Sequence, residues 1–512
     1  MTRSFHSPRT ALLSLIGRAP KFVPVASFVP HRAAVNTADR YSADSRSVYG
    51  CGALLAVALL LGGCHPGDAP PTFVGYGAAD DPKAVQVGRA TMESGGSAAD
   101  TVVAMAMTMT VTLPSRVGLA GGGLCLIHDP KSKMVRTLDF LPVSVQAGRP
   151  PVPSLLRGLY ALQAAYGRQH WEQAIGVPES LSAAGTTVSR ILAADIQANA
   201  GQLAADPAVR RVFLTASGQP LGEGEVLSQP ELTATLRTVR QRGVGSFYSS
   251  TVSGAIGATV ARGLGIDAAV LDGYHAAWRG TTNIENGNDV IHFPDRLDGG
   301  DGGLIRAWRA ASEADDGAWL GAMVGALGSG TGADAAAAPA ATVIAVDANE
   351  QAVACVLTLG GPFGSGHMVP GTGMLAAGNG TATGLGGPAL VINNSQHTTL
   401  FAGGAAAGSS NEGSRSAEAS LLTVLHAAAV ERIPGPRSLA GPRAAPALDG
   451  GVLAEPGVSA AQLGPAASRM RVVPALGRVE ALVCLYNRIV GTKSCEAAND
   501  LRSSGMYFSV LK

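Results

Sequence analysis

The sequence predicts a mixed α+β fold, and three observations carry that reading. Thr342–Asp347 is apolar and β-branched, Asp347-Ala348-Asn349-Glu350 is a turn signal, and Gln351–Leu359 resumes the strand pattern, which together describe an antiparallel hairpin. A second pair of strand patterns, Leu124–His128 and Met134–Phe140, is joined through Asp129-Pro130. Before, between and after these lie long segments whose apolar residues recur at helical spacing, including Ala98–Val111, Pro230–Arg242 and Ser416–Ala429.

Composition bounds the class of function. The chain has 512 residues, 46% hydrophobic and 15% charged, with a formal net charge of +1. This length suits one large or two ordinary domains with a sizeable core. A near-neutral balance gives no electrostatic footprint for nucleic acid, and none is expected as a partner. The 67 glycines predict many loops and close backbone approaches.

The amino terminus reads as a targeting segment. Residues 1–50 are rich in Arg and Ser, and Cys51–Leu61, CGALLAVALLL, is an apolar run of signal-peptide length, too short for a comfortable span of roughly 20 residues. It ends Leu61-Gly62-Gly63-Cys64, which resembles a bacterial lipobox. Cleavage before Cys64 and its lipidation would place the protein outside the inner membrane's cytoplasmic face, with the lipid anchor as its only membrane contact; an ordinary secretory signal is the alternative. The expected organisation is a leader over 1–64, a tether over 65–75, and a body divided into 76–338 and 339–512. Of the other cysteines, Cys125 and Cys355 sit inside apolar strand patterns and read as small core residues. Cys484 and Cys495 lie in successive strand patterns and would pair in an oxidising compartment if those strands are neighbours.

Along the body, Asp81–Ser94 reads as a helix stopped by Gly95-Gly96, and Ser97-Ala98-Ala99-Asp100 as a capping box opening the next one. Met105, Met107 and Met109 within that helix read as adaptable core filler. Gly118–Gly123 precedes a strand rather than a helix, so it fails the context test for a phosphate cradle. Val152–Tyr166, Ser253–Gly263 and Leu304–Ala314 continue the helical pattern, and Asp295–Gly303 and Gly328–Ala338 read as connectors. No Walker sequence, Cys-x-x-Cys pair or His-x-x-x-His is present, so no metal or cofactor is expected. Ser329, Ser365, His367 and His397 read as turn and loop residues.

Several of these motifs, in order and at matching spacing, resemble the gamma-glutamyltranspeptidase family of N-terminal-nucleophile hydrolases. GGSAADTVVAMAM, VGLAGGGLCLIHDP, TLDFLP, VPSLLRGLYALQAAY and YHAAWR carry the resemblance in the first part, and Asp347, Phe363-Gly364-Ser365-Gly366 and Pro370-Gly371-Thr372-Gly373 carry it in the second. It covers about residues 76–512, weakest between Asp295 and Ala338, and implies a four-layer αββα sandwich. It also implies which positions would do the family's chemistry, γ-glutamyl transfer or hydrolysis of glutathione-type amides. The family's strand opens with a Thr that becomes a new amino terminus by self-cleavage; without a gap, that position is Ala340. The Arg that binds the donor carboxylate falls on Leu141, and the Asn of Thr-x-Asn on Gly360. The acidic run that holds the donor amine falls on Ala376–Thr381, where Asn379 stands and no acid does. The Ser-Ser pair falls on Gly384 and Leu385, and the Gly-Gly oxyanion loop within Gly403–Gly408, including Ala407 and Gly408, as exposed backbone donors.

An N-terminal nucleophile needs a hydroxyl or thiol, first to cut its own chain and then to attack substrate. Ala340 has neither. One reading is therefore an exported, lipid-anchored family member that no longer transfers γ-glutamyl groups but keeps a pocket for a small γ-glutamyl-type ligand. The other is an amidohydrolase of altered specificity that uses Thr342, two residues on and so on the same strand face as Ala340.

Overall fold

A computed structural model describes residues 73–144, 148–295, 303–315, 317–329, 339–379, 385–407, 415–487 and 492–511. Strands β1 (Phe73–Ala79), β2 (Gly122–Asp129), β3 (Met134–Phe140) and β4 (Ala277–Arg279) belong to a first sheet, and β5 (Thr281–Asn286) and β6 (Asp289–Pro294) to a second. The hairpin β7 (Ala340–Asp347) and β8 (Ala352–Thr358) returns to the first sheet. The second gains β9 (Gly386–Asn393), β10 (Thr399–Ala406), β11 (Arg478–Asn487) and β12 (Thr492–Ala498), and β13 (Met506–Leu511) closes the first. The spatial orders are β13-β1-β7-β8-β2-β3-β4 and β12-β11-β10-β9-β6-β5. All these pairings are antiparallel. The predicted hairpin thus forms the middle of the first sheet, with Ala340 opposite Thr358 and Val346 opposite Ala352.

Strand periodicity sorts the side chains into layers. Ala341, Val343 and Ala345 of β7 join the apolar cluster beneath the helices α1 (Pro82–Glu93), α2 (Ala98–Thr112), α3 (Leu155–Tyr166), α4 (Trp171–Ala184) and α5 (Pro230–Arg242). Their neighbours Ile344 and Val346 point the other way, into a core between the sheets with Leu126, Ala354, Leu390, Ala402 and Leu482. On the far side, Val391, Phe401 and Ala481 pack under α6 (Gly303–Glu313), α7 (Trp319–Gly328) and α8 (Ser416–Ala429). The result is the expected four-layer αββα sandwich, and the strands buried on both faces explain why their sequences read as continuous apolar runs. These elements all fall in one unit, Ala69–Lys512.

Helix α2 is buried at every one of its 15 positions, so its lack of a polar face has a physical cause. Its capping box forms as read: Ser97 N–H donates to Asp100 Oδ2 at 2.9 Å, and Asp100 N–H to Ser97 Oγ at 3.2 Å. Asp100 also accepts from Arg168 N–H at 2.7 Å and Gln163 Nε2 at 3.1 Å, which ties the start of α2 to the turn after α3.

Two cysteine pairs are joined. Cys125 and Cys355 are not the separate core residues expected from sequence but directly opposed on β2 and β8 and bonded as a disulfide. The long-range pairing of β2 with β8 places them together across 230 residues of chain, a relation that local pattern does not express. Cys484 and Cys495 are opposed on β11 and β12 and likewise bonded.

Candidate functional site

Ala340 begins β7 and is 1% exposed. The strand ends here because Pro339 cannot donate to the ladder, and the turn around it is held by one side chain. Thr358 Oγ1 donates to the carbonyl of Pro339 at 2.8 Å and accepts from Gly360 N–H at 3.0 Å. Gly360 has φ +75°, and a Cβ there would fall 2.5 Å from the Gly378 carbonyl oxygen, so two backbones touch at this point. Gly378 N–H donates to Leu359 O at 2.9 Å, which seals the same contact. The glycine-rich crossing after β8 is therefore closed against the segment running from Leu375 to Asn379, with Asn379 itself exposed.

The remaining family positions separate into two groups. Leu141, just past β3, is 3% exposed, and it belongs with Ala340 and the fully buried Leu385 to one contiguous apolar cluster. Ala407 is buried and its carbonyl accepts from Arg478 Nη2 at 2.8 Å. Gly384, Gly408 and Cys64 lie outside the described residues. The loop expected over Gly403–Gly408 is in its first part not a loop: Gly403 and Gly404 are inside β10, paired to Ala481 and Glu480 of β11. Both therefore stand in a strand of the second sheet rather than in a loop. Two small residues suit that place because a Cβ at Gly404 would lie 3.0 Å from Thr342 Cγ2, so the second sheet could not sit this close against the first.

Thr342 does face the same inter-sheet space as Ala340. Its amide donates to Asp80 Oδ2 at 2.7 Å, its carbonyl accepts from Asp80 N–H at 3.3 Å, and it pairs with Val356 across the hairpin. Its hydroxyl is buried and makes no hydrogen bond among the described residues. Around it lies a cluster that sequence reasoning missed: Asp80, Arg478, Glu480 and Ser503, with Arg478 Nε 3.9 Å from Asp80 Oδ1 and Ser503 Oγ donating to Glu480 Oε1 at 2.8 Å. Burial raises the pKa of both carboxyls, and at Glu480 the Asp80 charge adds to the rise. The available signal was Glu480 sharing a strand face with Leu482 and Cys484, a charge placed where period two demands an apolar residue.

Other singled-out residues are structural. Ser365 N–H and Oγ both bond the Ala376 carbonyl, and His367 is exposed beside Asp206. Met105, Met107 and Met109 are fully buried core. Among the described residues no group of three His, Cys, Asp or Glu is arranged to hold a metal ion, and no helix is long and apolar enough to cross a membrane. Two cavities of about 620 and 640 Å³ lie over α1, α2 and α4 and beside the turns at Asn288 and Gln396; neither is lined by Ala340, Thr342 or Leu141.

Comparison with known proteins accords with this architecture. The gamma-glutamyltranspeptidase family model matches residues 84–300. Glutathione hydrolase 3 of Arabidopsis thaliana is 29% identical over 195 residues, covering 35% of this chain and 30% of that protein. The glutathione hydrolase proenzyme of Bacillus subtilis (strain 168) is 27% identical over 202 residues, covering 35% of this chain and 34% of its own length. The matched segment thus spans about a third of these curated relatives. The crystal structure of cephalosporin acylase from Bacillus halodurans superposes with a TM-score of 0.67 over 87% of this chain and 98% of its own, at 16% identity, a likeness of fold. With part of the family's domain matched in sequence and the sandwich matched in space, the chain is similar to the gamma-glutamyltranspeptidase family over residues 84–300 and shares the αββα fold of the cephalosporin acylase.

Proposed function

We propose that this protein is an exported family member that has lost γ-glutamyl transfer and serves as a binding or scaffold protein. One observation carries the proposal: the first residue of β7, where the family pattern puts the nucleophile, is an alanine buried in an apolar cluster with Leu141. A methyl group can neither cut the preceding peptide nor accept an acyl group. Leu141 supplies none of the charge-assisted, bidentate contacts that an arginine gives a carboxylate.

The competing use of Thr342 is disfavoured by its setting. To become an amino terminus it would require cleavage at the Ala341–Thr342 bond, inside a strand paired through Ala340 and Ala341 to Thr358 and Leu357. On a denaturing gel the purified wild type is expected to run as one uncut chain, and it is expected to release no product from a γ-glutamyl anilide. A fragment whose first residue is Thr342 would overturn the proposal in favour of an active amidohydrolase.

The export part of the proposal rests on the LGGC sequence ending at Cys64. Wild-type protein is expected to fractionate with membranes, and Cys64→Ala to appear in the soluble fraction or to stay unprocessed. Soluble wild type with an unmodified amino terminus at another residue would contradict it.

A further inference from the structure

The end of the sandwich next to position 340 holds two facing acids and one bridging hydroxyl. Asp80 follows β1 in the first sheet, Glu480 lies on β11 in the second, and they are 0% and 1% exposed. Ser503, ahead of β13, stands between them. Its Oγ is 2.8 Å from Glu480 Oε1 and 3.3 Å from Asp80 Oδ1, and it accepts from Gly505 N–H at 2.8 Å. A serine hydroxyl carries one hydrogen, so it can donate to only one of the two carboxylates. The second contact is a hydrogen bond only if that carboxyl brings a proton of its own.

Charge counting leads to the same place. Arg478 faces Asp80 at 3.9 Å from the second sheet. Arg116 faces it from the loop after α2, but its guanidinium is bonded to Asp195 at 2.9 and 3.1 Å. Asp500 faces both acids and is itself paired with Arg443 at 2.8 Å and Arg502 at 3.0 Å. Asp81 turns the other way, capping α1 through Ala84 N–H at 2.8 Å and accepting from Thr112 Oγ1 at 2.8 Å. Among the described residues, Arg116 also acts on Asp80 and Arg443 on Glu480, but each is bonded to another carboxylate, so Arg478 is the one cation here without a carboxylate of its own, against two buried carboxyls. Ionising both would strand a charge where water cannot solvate it.

We infer that Asp80 and Glu480 hold a single proton between them at neutral pH, bridged by Ser503, and that this proton latches the two sheets together where β7 begins. The raised pKa of each acid accords with this. Because Asp80 Oδ2 also holds the Thr342 amide, the latch positions the first residues of β7 as well. The sign of its pH dependence follows from linkage. Both acids titrate higher in the folded chain than in the unfolded one. Their contribution is therefore full below the ordinary carboxylate range, about pH 4, and is lost as pH rises through the folded values.

The test is infrared spectroscopy of the full chain at pD 7.5. Wild type is expected to show the carbonyl stretch of a protonated carboxylic acid. Asp80→Asn and Glu480→Gln, each an isosteric stand-in for the protonated acid, are each expected to lose it, because the remaining carboxylate no longer faces the charge of the other. Absence of the band in wild type would overturn the inference without any variant. Its persistence in either variant would assign the proton to another carboxyl, such as Asp81, and would overturn it equally.

Discussion

Ala340→Thr is expected to leave the protein inactive toward a γ-glutamyl anilide, although it restores the hydroxyl that the family's chemistry requires. In well-built sites, loss of a nucleophile costs on the order of a million-fold in rate, so restoring one would have a large effect if it were all that was missing. It is not. Holding a reactant in attack geometry accounts for about 7–11 kcal/mol of barrier lowering, and on the proposed reading the positions that would orient a γ-glutamyl donor carry residues that cannot do so. Leu141 is an apolar member of the cluster around Ala340, and the segment after Leu375 carries no acid up to Asn379. The new side chain also meets a filled space, since Ala340 is 1% exposed, and overpacking of this kind costs about 1–3 kcal/mol. Anilide release, a denaturing gel and amino-terminal sequencing check this. Cleavage ahead of residue 340 in the variant is compatible with it, because that step uses the chain's own peptide and needs no donor site. Full anilide activity in the single variant would place the substrate-binding residues elsewhere.

What the sequence expressed, and what it withheld, follows from the range of each interaction. The hairpin, the capping box at Ser97 and the helices Pro230–Arg242 and Ser416–Ala429 are written in residues a few positions apart, and the structure has them as read. The central strands of the second sheet were not legible. Gly386–Asn393, GGPALVIN, and Thr399–Ala406, TLFAGGAA, contain glycine and proline that signal turns locally. They are strands because the two sheets approach closely enough at Gly404 to exclude a side chain. Most of Trp171–Ala198, now two helices, was also passed over, Pro178 interrupting the helical pattern of the first. At the candidate site, motif spacing singles out Ala340, and strand period alone puts it on the face it shares with Thr342. The acids around Thr342 could not be found this way, because Asp80, Glu480 and Ser503 meet only after both sheets have formed.

The largest stability effect is expected from Asp500→Ala. Asp500 is 0% exposed and accepts from Arg443 Nη1 at 2.8 Å, Arg502 Nη1 at 3.0 Å and Val479 N–H at 2.9 Å. Arg443 is fully buried too; its Nη1 also donates to the carbonyls of Leu476 and Gly477, and its Nη2 to that of Leu439. Glu455 completes the network, accepting from Arg502, from Arg443 N–H at 3.0 Å and from Leu476 N–H at 2.7 Å. This arrangement fixes the entry into β11, one residue from the Arg478 and Glu480 that face Asp80. Removing Asp500 leaves Arg443 in the interior without its carboxylate, and breaking one partner of a buried pair costs about 3–5 kcal/mol. An exposed pair provides the contrast: Arg89→Ala, which removes an i,i+4 contact with Glu93 at 2.7 Å, is expected to cost less than about 1 kcal/mol. Urea unfolding of both variants separates the two cases, with the midpoint falling and the slope unchanged for Asp500→Ala. The replacement of both partners together, Arg443→Met with Asp500→Leu, is expected to recover most of the loss, because it removes the stranded charge along with the pair. A cost below about 1 kcal/mol for Asp500→Ala would mean that solvent reaches Arg443 and that the network does not hold β11 in place.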